Sequence, residues 1–141
     1  TMIHIGDWKL AVDVEKTKTA FEFNSYRCMS KECHNFVEVC EKHLEHIVLD
    51  FAKELGIDLS KPSQLESHQV NDNTAIMYSG KYHIIGEIVE GEVDGWDIIL
   101  GEHCFSLTDE MDQVPIVMDG PIIEISFEVV LPWVIESNIL V

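Results

Sequence analysis

A chain of 141 residues, 46% of them hydrophobic, is long enough to fold as one domain around a real core. Its 26 acidic residues against nine Lys plus Arg give a net charge of −17, unevenly spread: residues 1–81 hold all nine cations, and residues 82–141 hold 13 acids with no Lys or Arg. Such an exterior excludes nucleic acid, whose binding depends on cations neutralising phosphate, and anionic membrane surfaces for the same reason.

Thr1 ahead of Met2 reads as a remnant, with the natural start at Met2. No apolar run reaches the roughly 18–20 residues of a membrane helix. The first residues lack the basic stretch and apolar segment of a secretory signal. Cys28, Cys33, Cys40 and Cys104 form no dense framework and are expected as free thiols in a reducing cytoplasm.

In chain order, Met2–Ile5 and Trp8–Val14 read as a hairpin around Gly6-Asp7. Lys16–Tyr26 fits either a short helix or an extended connection. Next comes the stretch that organises the chain, Arg27–Ile57. Phe36, Val37, Cys40, Leu44, Ile47, Val48, Phe51 and Leu55 have the spacing of one buried helix face. Ser30 is the expected N-cap and Gly56 the left-handed stop, with Lys61-Pro62 barring continuation. Apolar matches thin out near Lys42–Glu45, so two helices are favoured over one. Beyond this the period becomes two. Gln64–Val70 and Thr74–Ser79 flank an Asn71-Asp72-Asn73 turn. Lys81–Glu90 reads as a separate strand, apolar on both sides and so central. Asp94-Gly95 signals a tight turn into Trp96–Leu100. His103–Leu107 is a further strand, and a polar loop over 108–120 carries a short strand at Pro115–Met118. Pro121–Leu131 alternates most clearly, with Ile123, Ile125, Phe127, Val129 and Leu131 opposite Glu124, Ser126 and Glu128. The apolar tail through Val141 is expected to pack on the body. The result is one α+β domain over 1–141: a curved, mostly antiparallel sheet with one or two helices (about 31–55) on one face.

Several of these residues together resemble a family of short uncharacterised bacterial proteins, chiefly from low-GC Gram-positive species. They are Trp8, Val12–Thr17, Cys28 and Cys33 followed by Asn35-Phe36, and Leu55-Gly56-Ile57-Asp58 with Lys61-Pro62. Tyr78, Gly80, Tyr82, His83, Gly86 and Pro132-Trp133-Val134 complete the set. The family pattern carries a third cysteine between these two, where Ser30 stands here. The resemblance implies a bacterial cytoplasmic protein and no particular activity.

Three patterns bear on chemistry. Cys28 and Cys33, joined by Cys40 and His83, supply the ligand types of a zinc site, which needs four at tetrahedral positions. His43, or His103 with Cys104, are further candidates to complete that set. The plainer reading makes Cys33 and Cys40 small apolar residues seven apart on one helix face. Cys33 also lies near a helix N-terminus, which can lower a thiol pKa, although His34 beside it points elsewhere. Glu90-Gly-Glu92-Val-Asp94-Gly95 echoes the start of a calcium loop, but Gly101 stands at the twelfth position where an acid belongs. No phosphate-binding loop or hydrolase signature is present. The expected function is therefore a non-catalytic binding module, of inhibitor or immunity type, that presents Glu87, Glu90, Glu92, Asp94, Asp97, Glu102, Asp109, Glu110 and Asp112 to a basic partner protein. The alternative is a small zinc- or thiol-dependent protein using Cys28 and Cys33 with a histidine. A homo-oligomer formed through the apolar C-terminal segment is a third expectation.

Overall fold

A computed structural model describes residues 1–23, 29–70, 74–93, 95–110 and 118–135. β1 (Met2–Ile5) pairs with β2 (Trp8–Val12) as the expected hairpin, turning at Gly6 with φ of 54°. Asp13 then caps α1 (Val14–Glu22), its carboxylate accepting from the Lys16 N–H at 3.0 Å. This settles the ambiguous stretch as a helix through Glu22.

Ser30 caps α2 (Lys31–Lys42), accepting from the Cys33 N–H at 3.2 Å. The helix ends at Lys42, and α3 (His46–Leu55) restarts after the expected joint, closing on Gly56 with φ of 83°. The break resets the helical phase. Val48, Phe51, Ala52 and Leu55 stay buried, whereas Ile47, expected on the buried face, is 52% exposed.

Among the described residues the sheet has seven strands, all pairings antiparallel, in the order β1-β2-β4-β7-β6-β5, with β3 also on β4. The remaining members are β3 (Gln64–Gln69), β4 (Ala75–Glu90), β5 (Ile98–Leu100), β6 (His103–Thr108) and β7 (Ile122–Pro132). The chain is thus a single α+β domain, with three helices among the described residues.

Two expectations change here. The separate strands Thr74–Ser79 and Lys81–Glu90 are one strand, β4, continuous through Gly80. A Cβ at Gly80 would collide with the Gln64 carbonyl oxygen and the Phe127 ring, so the missing side chain lets β3 and the core close on β4 there. And although the Gly95 N–H donates to the Glu92 carbonyl at 3.1 Å, as a tight turn there requires, the strand that follows, β5, pairs with β6 at the far edge of the sheet and not with β4. The segment after β4 instead folds over Trp8, whose indole N–H donates to Asp97 at 2.7 Å. Asn71-Asp72-Asn73, the short strand at Pro115–Met118 and the tail beyond 135 lie wholly or largely outside the described residues.

Period two sorts β4 into two faces. Ile76, Tyr78, Tyr82 and Ile84 point inward with their β7 partners Leu131, Val129, Ile125 and Ile123. Phe36 of α2 packs on Tyr78 and Phe127 with ring centres 5.1 and 5.9 Å away, and Phe51 of α3 packs on Phe105 at 4.8 Å. Truncating such a ring costs about 3–5 kcal/mol. β3 covers one edge of β4 up to Lys81 and β2 takes over at Gly86. α1 fills the interval: the Thr17 hydroxyl donates to the Asp13 carbonyl at 2.8 Å and accepts from the Ile85 N–H at 3.0 Å.

Asn35, fully buried in α2, locks the layers together. Its amide nitrogen donates to Tyr78 Oη at 3.2 Å and the Pro132 carbonyl at 3.1 Å, and its oxygen accepts from the Val134 N–H at 2.7 Å. Tyr78 Oη donates in turn to the Glu32 carbonyl at 2.6 Å. Asn35→Ala strands several buried groups at once, so the expected loss is about 2–3 kcal/mol in urea unfolding, against about 1 kcal/mol for Tyr78→Phe.

His103 also points inward, 3% exposed and stacked on Phe105. Burial pushes its pKa from 6.5 down to about 4, so the folded protein holds the ring neutral. As pH falls below 6.5 the unfolded chain takes up this proton first, and stability present above that pH is lost progressively down to about 4. Between pH 7.5 and 4.5, His103→Gln is expected to show about 2.5 kcal/mol less pH dependence of unfolding than the parent.

Candidate functional site

The outward face of β4 carries Lys81, His83, Ile85 and Glu87 in alternation with the core residues. Register places Glu124 of β7 beside His83, and Thr108 of β6 beside Glu124. Ser63, just before β3, is anchored by its N–H to the Lys81 carbonyl at 2.7 Å. Three strands thereby assemble one chain of polar contacts. Ser63 Oγ lies 2.7 Å from His83 Nδ1, His83 Nε2 lies 3.1 Å from Glu124 Oε2, and Glu124 Oε1 lies 3.1 Å from Lys81 Nζ. His83 and Glu124 are buried, while Ser63 is half-buried.

Donor accounting sets the proton positions. A carboxylate facing the Lys81 ammonium accepts at both oxygens, so His83 Nε2 carries the hydrogen that reaches Oε2. A neutral ring then has a lone pair on Nδ1, and the Ser63 hydroxyl donates to it. The ring is neutral because burial lowers the His83 pKa and the Lys81 charge lowers it further, against an opposing pull from Glu124.

The acid-rich portion is arranged differently. Glu87, Glu90, Glu92, Asp97, Glu102, Asp109 and Glu110 are all exposed. Among the described residues none of these seven has a cation within 4.0 Å. Register makes Lys9 the cross-strand partner of Glu90. The fold spreads the set. Glu87 and Glu90 lie at the end of β4, Asp109 and Glu110 just past β6, and Glu102 at the β5–β6 turn. Asp97 also accepts the Trp8 indole, so it holds the loop as well as facing water. Asp94 and Asp112 lie outside the described residues.

Among the described residues, the proposed zinc ligands Cys33, Cys40 and His83 are not gathered. Cys33 is disulfide-bonded, to a partner outside the described residues, which overturns the expectation of four free thiols. Disulfides persist in oxidising surroundings, so the thiol argument for a cytoplasmic setting falls with it. Cys40 is buried on the inner side of α2, where burial drives its thiol pKa far up and disfavours the thiolate that binds metal. His83 sits on the opposite face of the sheet, held by Ser63 and Glu124. Cys28 lies outside the described residues. Among those described, no three His, Cys, Asp or Glu side chains converge to hold a metal ion. Nor is any described helix long and apolar enough to cross a membrane. A separate cleft of about 430 Å³ lies between the helices, lined by Phe21, Leu49, Ala52 and Ile57, with three lysines balanced by three acids.

Comparison with models of protein families, with curated proteins and with solved structures found no match.

Sequence reasoning reached His83 but missed Ser63, Lys81 and Glu124. Lys81 and His83, two apart on a strand, were a usable sign that both leave the same face. Nothing local marks Ser63, which arrives from the loop after α3. The two charges act on His83 in opposite directions, which NMR titration of the ring can read. Glu124→Gln is expected to lower the His83 pKa further, and Lys81→Met to raise it.

Proposed function

We propose that this chain acts by binding, docking a basic protein against its acid-rich exterior. The observation that carries the reading is that seven acids of residues 87–110 stand exposed with no cation within 4.0 Å among the described residues. Apart from Asp97, which accepts the Trp8 indole N–H, these carboxylates give up little on docking, because they have no ion pair to lose. Summed over the surface they attract a cationic partner over a Debye length and speed its encounter.

An inhibitor- or immunity-type role fits this chemistry, since such proteins act by covering a basic surface. The resemblance to short bacterial proteins makes the proposed setting a bacterial one. A cytoplasmic location would keep Cys33 reduced, so the redox state of that residue in cells reports the compartment. The alternative built on zinc or a reactive thiol has less support, because Cys33 is tied up and Cys40 is disfavoured as a thiolate.

The test is capture from a lysate of the native host, comparing the parent with Glu87→Gln/Glu90→Gln/Glu92→Gln/Asp109→Asn/Glu110→Gln. The expected result is a basic protein retained by the parent at about 50 mM salt, released at about 500 mM and lost with the variant. Identical retention by both proteins, insensitive to salt, would sink the reading.

A further inference from the structure

We propose that Ser63 is a base-activated nucleophile that accepts the acyl group of small neutral or cationic esters. The alcohol of an ordinary serine is a weak nucleophile, and three conditions change that: a base on the hydroxyl, a group orienting the base, and access to the oxygen. All three meet here. The Ser63 hydroxyl donates to His83 Nδ1 at 2.7 Å, and Glu124 fixes the ring through Nε2 at 3.1 Å. Lys81 holds Glu124 from its other oxygen at 3.1 Å. Ser63 itself is half-buried, so part of the residue is open to a small reagent while its base is shielded from water.

The reaction balances with the ester and water alone. Ser63 Oγ bonds to the acyl carbon as its proton passes to His83 Nδ1. The bond to the leaving alcohol breaks, and that alcohol departs with the proton. Water then attacks the acyl-serine, gives a proton to His83, and releases the carboxylic acid as the proton returns to Ser63. Glu124 and Lys81 are positioning residues. Ester charge is selected by the surroundings: Glu87 shares the outward face with His83, and Asp109 and Glu110 follow Thr108, which neighbours Glu124. These repel an anionic acyl group.

The test uses the full chain with p-nitrophenyl acetate and a fluorophosphonate, read by intact mass and peptide mapping. One adduct on Ser63 is expected with each. The acetylation rate should fall about 100-fold or more in Ser63→Ala and His83→Gln. It should rise with pH and level off above an apparent pKa below the ordinary histidine value of 6.5. Glu124→Gln should shift that inflection further down, an effect a merely structural contact would not produce. The p-nitrophenyl monoester of succinic acid should react at least about tenfold more slowly than the acetate. The parent protein carries the decisive arm without any variant. An unmodified Ser63, or acetylation confined to lysines and unchanged in Ser63→Ala, overturns the proposal and leaves the network as a pin between β3, β4 and β7. Equal rates with the two esters overturn the charge preference.

Discussion

Strand β4 is the constraint on which the rest of the molecule depends. It runs unbroken for 16 residues and pairs with β7 along one edge and with β3 and then β2 along the other. A ladder of that length fixes register, and register fixes facing: a slip of one residue would send Tyr78 and Tyr82 into water and Lys81 and His83 into the core. Core and candidate site are therefore two readings of one alternation. Two glycines make the strand approachable. Gly80 admits the Phe127 ring and the Gln64 carbonyl, and a Cβ at Gly86 would strike the Ala11 carbonyl.

What the sequence disclosed follows from where its physics is local. The first hairpin, the Ser30 cap, the Gly56 stop and the break near Lys42–Glu45 all depend on residues within a few positions of one another. Alternation over residues 122–131 likewise announced β7 and its inward set. The errors came where distant segments decide. Nothing near Gly80 says that a strand should continue through it, because the benefit lies in Phe127. The turn signal at Asp94-Gly95 holds, with Gly95 bonded back to Glu92, but it does not say where the chain goes next: Trp8 claims Asp97 from across the fold and draws the chain over itself. The cysteine set failed for a related reason. Three of its members were close in sequence and His83 was not; the helix sends Cys40 inward while the sheet turns His83 outward.

Glu124 is the most instructive case. Alternation placed it on the outward side of β7, and that is where it sits. Outward does not mean solvated: Glu124 is 7% exposed, because His83, Thr108 and Lys81 close around it. Periodicity reports a side, not an environment. The distinction matters most on a sheet whose second face is partly covered, where polar residues opposite the core can be buried among themselves.

The same residue explains how so acidic a chain uses its scarce cations. Removing a carboxylate from water is costly unless a charge or hydrogen bonds replace the solvent, whereas an exposed carboxylate needs neither. Among the described acids beyond residue 81, Glu124 is the buried one, and Lys81, the last cation in the sequence, is the residue that meets it. Lys42 and Lys61, by contrast, pair with Glu38 and Asp58 in short-range contacts at the surface, where such pairs are worth little. Burial, not proximity in sequence, therefore decides where a cation matters here. With that one acid compensated inside, the other described carboxylates beyond residue 81 can stay on the exterior without weakening the interior. An uncompensated anionic surface and a fully satisfied buried network are thus two sides of one allocation: the fold supplies a partner where water is absent and leaves the rest to solvent.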